Sequence, residues 1–167
     1  MKKINEKVET WRAKGFIGPD TVDTPPEEKM SDGPVAVIEC PQKIPCNPCK
    51  ESCPVGAIEM ESLNGIPSVN FDKCTGCSLC VESCPGLAIF TIDCSLEAGC
   101  KVTLPYEFKL PSIGEEVLGL NRKGEPVTEV KVKDVKTRKE SKSDTPTVTV
   151  KVQKDHAMDV RNIRRLT

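Results

Sequence analysis

Three observations predict an α+β fold for this chain of 167 residues. Two cysteine-rich runs, CPQKIPCNPCKESCP from Cys40 to Pro54 and CTGCSLCVESCP from Cys74 to Pro85, repeat one another at a shift of 31 residues. Short branched apolar runs flank them, as strands of a small sheet would. After Lys101 the chain alternates polar and apolar residues in VTLPYEF, EEVLGL, VTEVKVKDV and TVTVKV, the period of half-buried antiparallel strands.

The elements follow in order. In residues 3–14, Ile4, Val8 and Trp11 recur at helical spacing before Gly15, Gly18 and Pro19 end the pattern, which predicts a short docking helix. From Pro19 to Pro34 the chain is rich in Pro, Asp and Glu with no periodic apolar face, and reads as an extended connector. VAVIE at 35–39 is a first strand leading into Cys40. AIEMES and IPSVNF flank Leu63, Asn64 and Gly65, an Asn-Gly hairpin signal. LAIFTID, from Leu87 to Asp93, closes this part as a last strand. Beyond it, NRKGEP at 121–126 predicts a turn, KTRKESKSDTP a longer polar loop, and the strands around them a small antiparallel β barrel or sandwich.

The repeat lays Cys46, Cys49, Cys53, Pro54, Ala57 and Ile58 onto Cys77, Cys80, Cys84, Pro85, Ala88 and Ile89, with Glu51 and Ser52 on Glu82 and Ser83. Two strand, loop and short-helix units of this kind share one core with approximate two-fold symmetry, and neither stands alone. The chain therefore divides into an N-terminal arm and connector (1–34), a cysteine-bearing module (35–100) and a small all-β module with its tail (101–167).

Charge is near balance overall, 24 Lys and Arg against 25 Asp and Glu, yet it is unevenly placed. Residues 1–100 hold 9 basic against 15 acidic side chains and residues 101–167 hold 15 against 10, an acidic module followed by a basic one. The basic part has no interleaved aromatic residues of the sort single-strand binders stack on bases, so no nucleic-acid partner is expected. The leading MKKINEKVETWRAK has no apolar core, and no later stretch is long and apolar enough to cross a membrane. A cytoplasmic location is expected, and in a reducing compartment clustered cysteines are metal ligands rather than disulfides.

The spacing C-x2-C-x2-C-x3-C-P of the second run is a complete iron-sulfur ligand set: three thiolates on one loop, and a fourth, beside a proline, sent to a different cluster. Each thiophilic iron takes one deprotonated protein sulfur in addition to its bridging sulfides. Gly76 and Gly86 suit a close backbone approach. The proline after the last cysteine disfavours helical backbone at that cysteine and ends the helix there. On that rule Cys53, Cys74, Cys77 and Cys80 hold one 4Fe-4S cluster, while Cys46, Cys49 and Cys84, with an upstream ligand, hold the other.

The upstream ligand departs from the repeat, because the partner of Cys74 is Lys43. Cys40 lies three residues further back, and Pro41, Gln42, Lys43, Ile44 and Pro45 are enough chain to bulge outward and deliver Cys40 to the vacant iron. The competing possibility is a three-iron 3Fe-4S cluster on Cys46, Cys49 and Cys84, with Cys40 a buried thiol. Cys94 and Cys100 match no repeat position and read as buried apolar thiols. His156 and the arginines of VRNIRR read as a solvated or subunit-contacting end, and the lysines from Lys131 to Lys142 as the wet face of strands.

CNPCKESCPVGAI and CTGCSLCVESCPGLAI resemble the bacterial two-cluster 4Fe-4S ferredoxins, which implies a pseudo-symmetric fold around two clusters and electron transfer between them. A wider resemblance takes in the helical arm, GPVAVIECPQKIPCNPC, the repeat, VTLPYEFKLPSIGEEVLGLNRKGEPV and the ending VRNIRR. It is to the small iron-sulfur subunits that accompany FAD-containing amino-acid dehydrogenases of the proline, hydroxyproline and sarcosine oxidase-like type in anaerobes. That likeness implies a flavoprotein partner in a hetero-oligomer, a non-catalytic role for this chain, and an acceptor it does not name. Two alternatives stay open: a freely diffusing ferredoxin, and a structural zinc module contacting nucleic acid.

Overall fold

The computed structural model describes Glu9 and residues 11–166. Most of the helix expected over 3–14 lies outside the described residues; Trp11 to Lys14 are helical and stop at Gly15, whose amide bonds back to the Trp11 carbonyl at 2.8 Å. The described residues form an α+β molecule of mainly antiparallel sheet with few, short helices.

The expected extended connector is interrupted by a 3-10 turn at Pro19–Thr21 and by helix α1 (Glu27–Asp32). Glu27 and Glu28 occupy its first turn, where negative charge suits the helix dipole, and Met30 alone is buried. One apolar residue in six leaves no periodic stripe to read, which is why the sequence pattern missed it.

Strand β1 (Val35–Ile38) then pairs antiparallel with β4 (Ile89–Asp93), and the short β2 (Ile58–Glu59) pairs with β3 (Ser68–Val69). The pair Ile38 and Ile89 maps onto Val69 and Ile58 by the shift of 31 residues. Helices α2 (Pro48–Glu51) and α3 (Leu79–Ser83) begin 31 residues apart as well. The expected hairpin forms, with a longer loop than the flanking runs suggest. The chain runs from Met60 to Pro67 between the two strands, with the Gly65 amide bonded to the Ser62 carbonyl, and Pro67, lacking an amide hydrogen, cannot extend the ladder.

Strand β4 is not the last of its sheet. It pairs with β5 (Cys100–Pro105), and the order continues through β8 (Thr147–Val152), β7 (Pro126–Lys136), β6 (Glu116–Leu120) and β9 (Asn162–Arg165). One seven-stranded antiparallel sheet thus crosses the change of composition at residue 100. The turn at 121–126 forms as expected, the Asn121 side-chain oxygen accepting the amides of Lys123 and Glu125. Strand β9 was not foreseen. Val160 and Ile163 are too few apolar residues to show a period, yet both are buried and β9 completes the sheet beside β6.

The sheet positions the cysteine loops because β1 and β4 are buried on both faces. Val35, Val37, Phe90 and Ile92 face a core shared with Val102, Leu104, Val117, Val132, Val148, Val150 and Ile163. Ala36, Ile38 and Ile89 face the opposite way, against Cys49, Cys80, Val81 and Cys84. Period-two geometry sends alternate side chains to opposite faces, so one strand pair is wall to both cores. Each fully buried valine of that core contributes about 1.5–3 kcal/mol relative to exposure.

Candidate metal centre

The eight cysteines of the two runs gather as two groups of four. Cys40, Cys46, Cys49 and Cys84 line one cavity of about 460 Å³, and Cys53, Cys74, Cys77 and Cys80 line a second, smaller hollow. Cys40 lies two residues past the end of β1, and the loop behind it bows outward, with Gln42 to Pro45 exposed. Cys49 and Cys80 sit inside α2 and α3. Cys84 ends α3 in extended backbone (φ −80°, ψ 108°), as the following proline requires. A helix that carries Cys80 to one group therefore delivers Cys84 to the other.

Each group also shows itself in its electrostatics. Burial pushes the Cys49 thiol up to about 11, and thiolate charge on Cys84, Cys40 and Cys46 adds to the rise. Burial pushes Cys80 up to about 12, with Cys74, Cys77, Cys49 and Cys53 adding. Thiols crowded in this way do not ionise together unless positive charge enters among them, which iron supplies. Backbone amides already point at the sulfurs: Ala57 N donates to Cys53 Sγ (3.2 Å), Ala88 N to Cys84 Sγ (3.4 Å) and Ala36 N to Cys74 Sγ (3.4 Å). Amide donors of this kind stabilise the charge that ligating sulfur carries. Among the described residues no three His, Cys, Asp or Glu side chains converge on one point as they would around a single ion; the thiols ring volumes instead. The donor set fits a pair of polynuclear iron-sulfur groups.

Gly76 makes the second loop possible. Its φ is +62°, and a Cβ there would stand 2.1 Å from the Pro34 carbonyl oxygen. Gly86 has open space around it, so the close approach expected there is not observed.

Cys94 and Cys100 are not free thiols. They are joined in a disulfide, with Cα atoms 4.1 Å apart. Asp93 pairs with Lys101 across β4 and β5, so the next residues outward face each other over a five-residue turn. The five-residue gap between the two cysteines, which fits no ligand pattern, is the length of that turn.

Two buried charge clusters lie beside the loops, and neither was foreseen. Glu39 Oε1 accepts from Arg122 Nη2 (2.6 Å) and Arg161 Nε (2.8 Å), all three residues lining the Cys40 cavity. Burial pulls Arg161 down to about 10, against the pull of Glu39, with the neighbouring Arg122 charge adding to the fall. Arg161 also lies 3.5 Å from the centre of the Phe90 ring. Arg161 belongs to VRNIRR and its side chain is buried within this chain, which departs from the solvated or subunit-contacting end expected there. Glu82, on α3, is fully buried and accepts from Lys136 Nζ (2.6 Å), the Lys142 amide (2.7 Å) and Ser141 Oγ (3.1 Å). Burial alone would raise its carboxyl, but these donors hold it below the ordinary glutamate value. Lys136 is thus tied into the structure rather than left on a wet face. His156, beside Asp159 at 3.9 Å, touches neither cysteine group's cavity.

Residues 67–90 match the family model for the 4Fe-4S binding domain. The ferredoxin-type protein NapF of Haemophilus influenzae is 44% identical over 54 residues, covering 30% of this chain and 31% of that protein. A ferredoxin of Methanocaldococcus jannaschii is 42% identical over 74 residues, 40% of this chain and 43% of its own length. The polyferredoxin-like subunit of an aliphatic sulfonate oxidoreductase from Pyrococcus furiosus is 36% identical over 53 residues, 32% and 28% of the two chains. The chain spans about a third of the length of the curated relatives it matches. No solved structure matches it. No helix among the described residues is long and apolar enough to cross a membrane. From the family match and the four-by-four gathering of thiols, the chain carries a ferredoxin-type 4Fe-4S binding domain.

Proposed function

We propose that this chain is an electron-transfer subunit with two 4Fe-4S clusters, one held by Cys40, Cys46, Cys49 and Cys84 and the other by Cys53, Cys74, Cys77 and Cys80. The observation that carries this is the sorting of eight thiols into two fourfold groups, with Cys53 and Cys84 each crossing to the other half's group. Bound clusters would supply one-electron redox chemistry at potentials set by charge, hydrogen bonds and solvent around the sulfurs. The chain's own part is to space the two groups, aim amides at the sulfurs and shield Cys49, Cys80 and Cys84 from water. The matching registers of β1 with β4 and of β2 with β3 support a pseudo-symmetric reading of residues 35–100.

The partner belongs to the same proposal: a flavoprotein dehydrogenase of the amino-acid type passes electrons to this chain in the cytoplasm, and the arm and C-terminal strands dock the complex. A relative that is named as an oxidoreductase subunit supports a place in an assembly. Anaerobic purification from the native host tests it. The expected material contains about eight irons and eight acid-labile sulfides per chain and comes with an FAD protein. In Cys84→Ser and Cys53→Ser proteins, electron paramagnetic resonance should show damage to different clusters. Zinc without sulfide refutes the proposal. Iron-loaded protein eluting alone replaces the subunit with a free ferredoxin, and a paramagnetic three-iron signal in the oxidised protein removes Cys40 from the ligands.

A further inference from the structure

The cysteine groups are near copies of each other in chain spacing and in the amides they receive, Ala57 to Cys53 and Ala88 to Cys84. Their charged surroundings are not alike. The cavity of Cys40, Cys46, Cys49 and Cys84 is lined by Glu39, Arg122 and Arg161, whereas among the described residues no charged side chain lines the hollow of the other four. Two guanidiniums sharing one carboxylate leave one net positive charge. Both arginine side chains are 8% exposed, so water and salt screen them weakly.

All three nitrogens of Arg161 and two of the three of Arg122 already donate within the protein. Arg122 gives Nε and Nη2 to Glu39, and Arg161 gives Nε to Glu39 and its other nitrogens to the carbonyls of Ala157, Met158 and Val160. What they offer the cavity is a fixed positive field. A neighbouring cleft that shares Cys53 and Ile58 with the other hollow is lined by Lys50, Glu51, Glu59 and Lys73, neutral in sum, and the Lys73–Glu59 pair is about half exposed on each side. The buried Glu82 is balanced by Lys136.

We propose that Glu39, Arg122 and Arg161 act as positioning residues for charge, setting the cluster in the Cys40 cavity at the higher reduction potential. Positive charge favours the state that has gained an electron, so a single electron shared by the two clusters rests there. Oxidation of the cluster on Cys53, Cys74, Cys77 and Cys80 accompanies reduction of the one on Cys40, Cys46, Cys49 and Cys84, and no proton moves. Arg122 comes from the turn between β6 and β7 and Arg161 from the residue before β9, so the C-terminal half makes two like sites unlike. This rests on the two-cluster reading above.

The test is an anaerobic redox titration of the full chain with a low-potential chemical reductant, followed by electron paramagnetic resonance. Cys40→Ser marks which signal belongs to the cavity. Arg122→Gln should lower that cluster's one-electron equilibrium constant about tenfold, 59 mV, and leave the other in place. Arg122→Lys, which keeps the charge, should restore most of the loss, and Glu39→Gln should shift the same cluster in the opposite direction. Cys77 is exposed, and water at that edge also favours added charge, but these variants leave that edge untouched. Equal movement of both clusters, identical behaviour of the Gln and Lys variants, or no movement in any of the three would overturn the proposal. If Arg122→Gln does not load iron, Arg122→Lys, expected to stay near the wild-type potential, and Glu39→Gln, expected to raise it, still decide. A protein with one cluster or with zinc defeats the underlying reading; two clusters with unmoved potentials defeat this inference alone.

Discussion

Glu82→Gln isolates the tie between the cysteine-bearing half and the C-terminal half. The carboxylate takes three donors, Lys136, the Lys142 amide and Ser141, from the strand end and loop that precede β8. Glutamine keeps one acceptor oxygen but turns an NH2 toward the rest. The Lys142 amide then loses its partner, a cost of about 1–3 kcal/mol for a polar group left unsatisfied. Lys136 loses its ionic partner, but at 36% exposure it can turn to water, so that loss adds only about 0.5–1 kcal/mol. A total of about 1.5–4 kcal/mol corresponds to roughly tenfold or more in opening of residues 137–146. Native-state hydrogen exchange on the iron-loaded protein measures it without unfolding the clusters, through the amides of Lys142 and Thr145, the latter bonded to the Glu82 carbonyl. The sign with pH follows from the lowered carboxyl. The advantage of wild type over Glu82→Gln is complete above the ordinary value of 4.5 and shrinks as pH falls through the lower folded value. Unchanged protection at neutral pH, with iron content intact, would falsify this account of Glu82.

Gly76→Ala places a methyl 2.1 Å from a backbone oxygen and holds alanine at positive φ, so at least ~2 kcal/mol of strain falls on the loop of Cys74 and Cys77. Iron and sulfide analysis should show about half the wild-type load, and a full complement would refute the steric argument. Cys94→Ser with Cys100→Ser should leave iron and sulfide unchanged while destabilising the β4–β5 turn by about 2 kcal/mol, the chain-entropy value for so short a loop. Loss of iron in that double variant would make the pair ligands after all.

How far the sequence could be read depends on the range of the interaction. The grouping of thiols was legible because three of them within seven residues must curl around one centre, and a proline after the fourth must turn it away; the two cavities are lined by the same sets of cysteines. The strands of residues 101–152 were legible because burial on one face forces period two. The helix at Glu27–Asp32 and strand β9 carry too few apolar residues to print a period, and only their docking on the larger core stabilises them.

The words Glu-Ser-Cys-Pro occur twice, and nothing local separates them. Glu51 lies exposed beside Asn47, while Glu82 is buried under a loop about 60 residues further along the chain. Glu39 likewise meets arginines 83 and 122 residues away. By itself the sequence determined which thiols gather and how they divide, because those are matters of short covalent reach. Only the tertiary structure decided which like group lies beside buried charge, since that field comes from a turn and a strand approach that the sheet brings alongside.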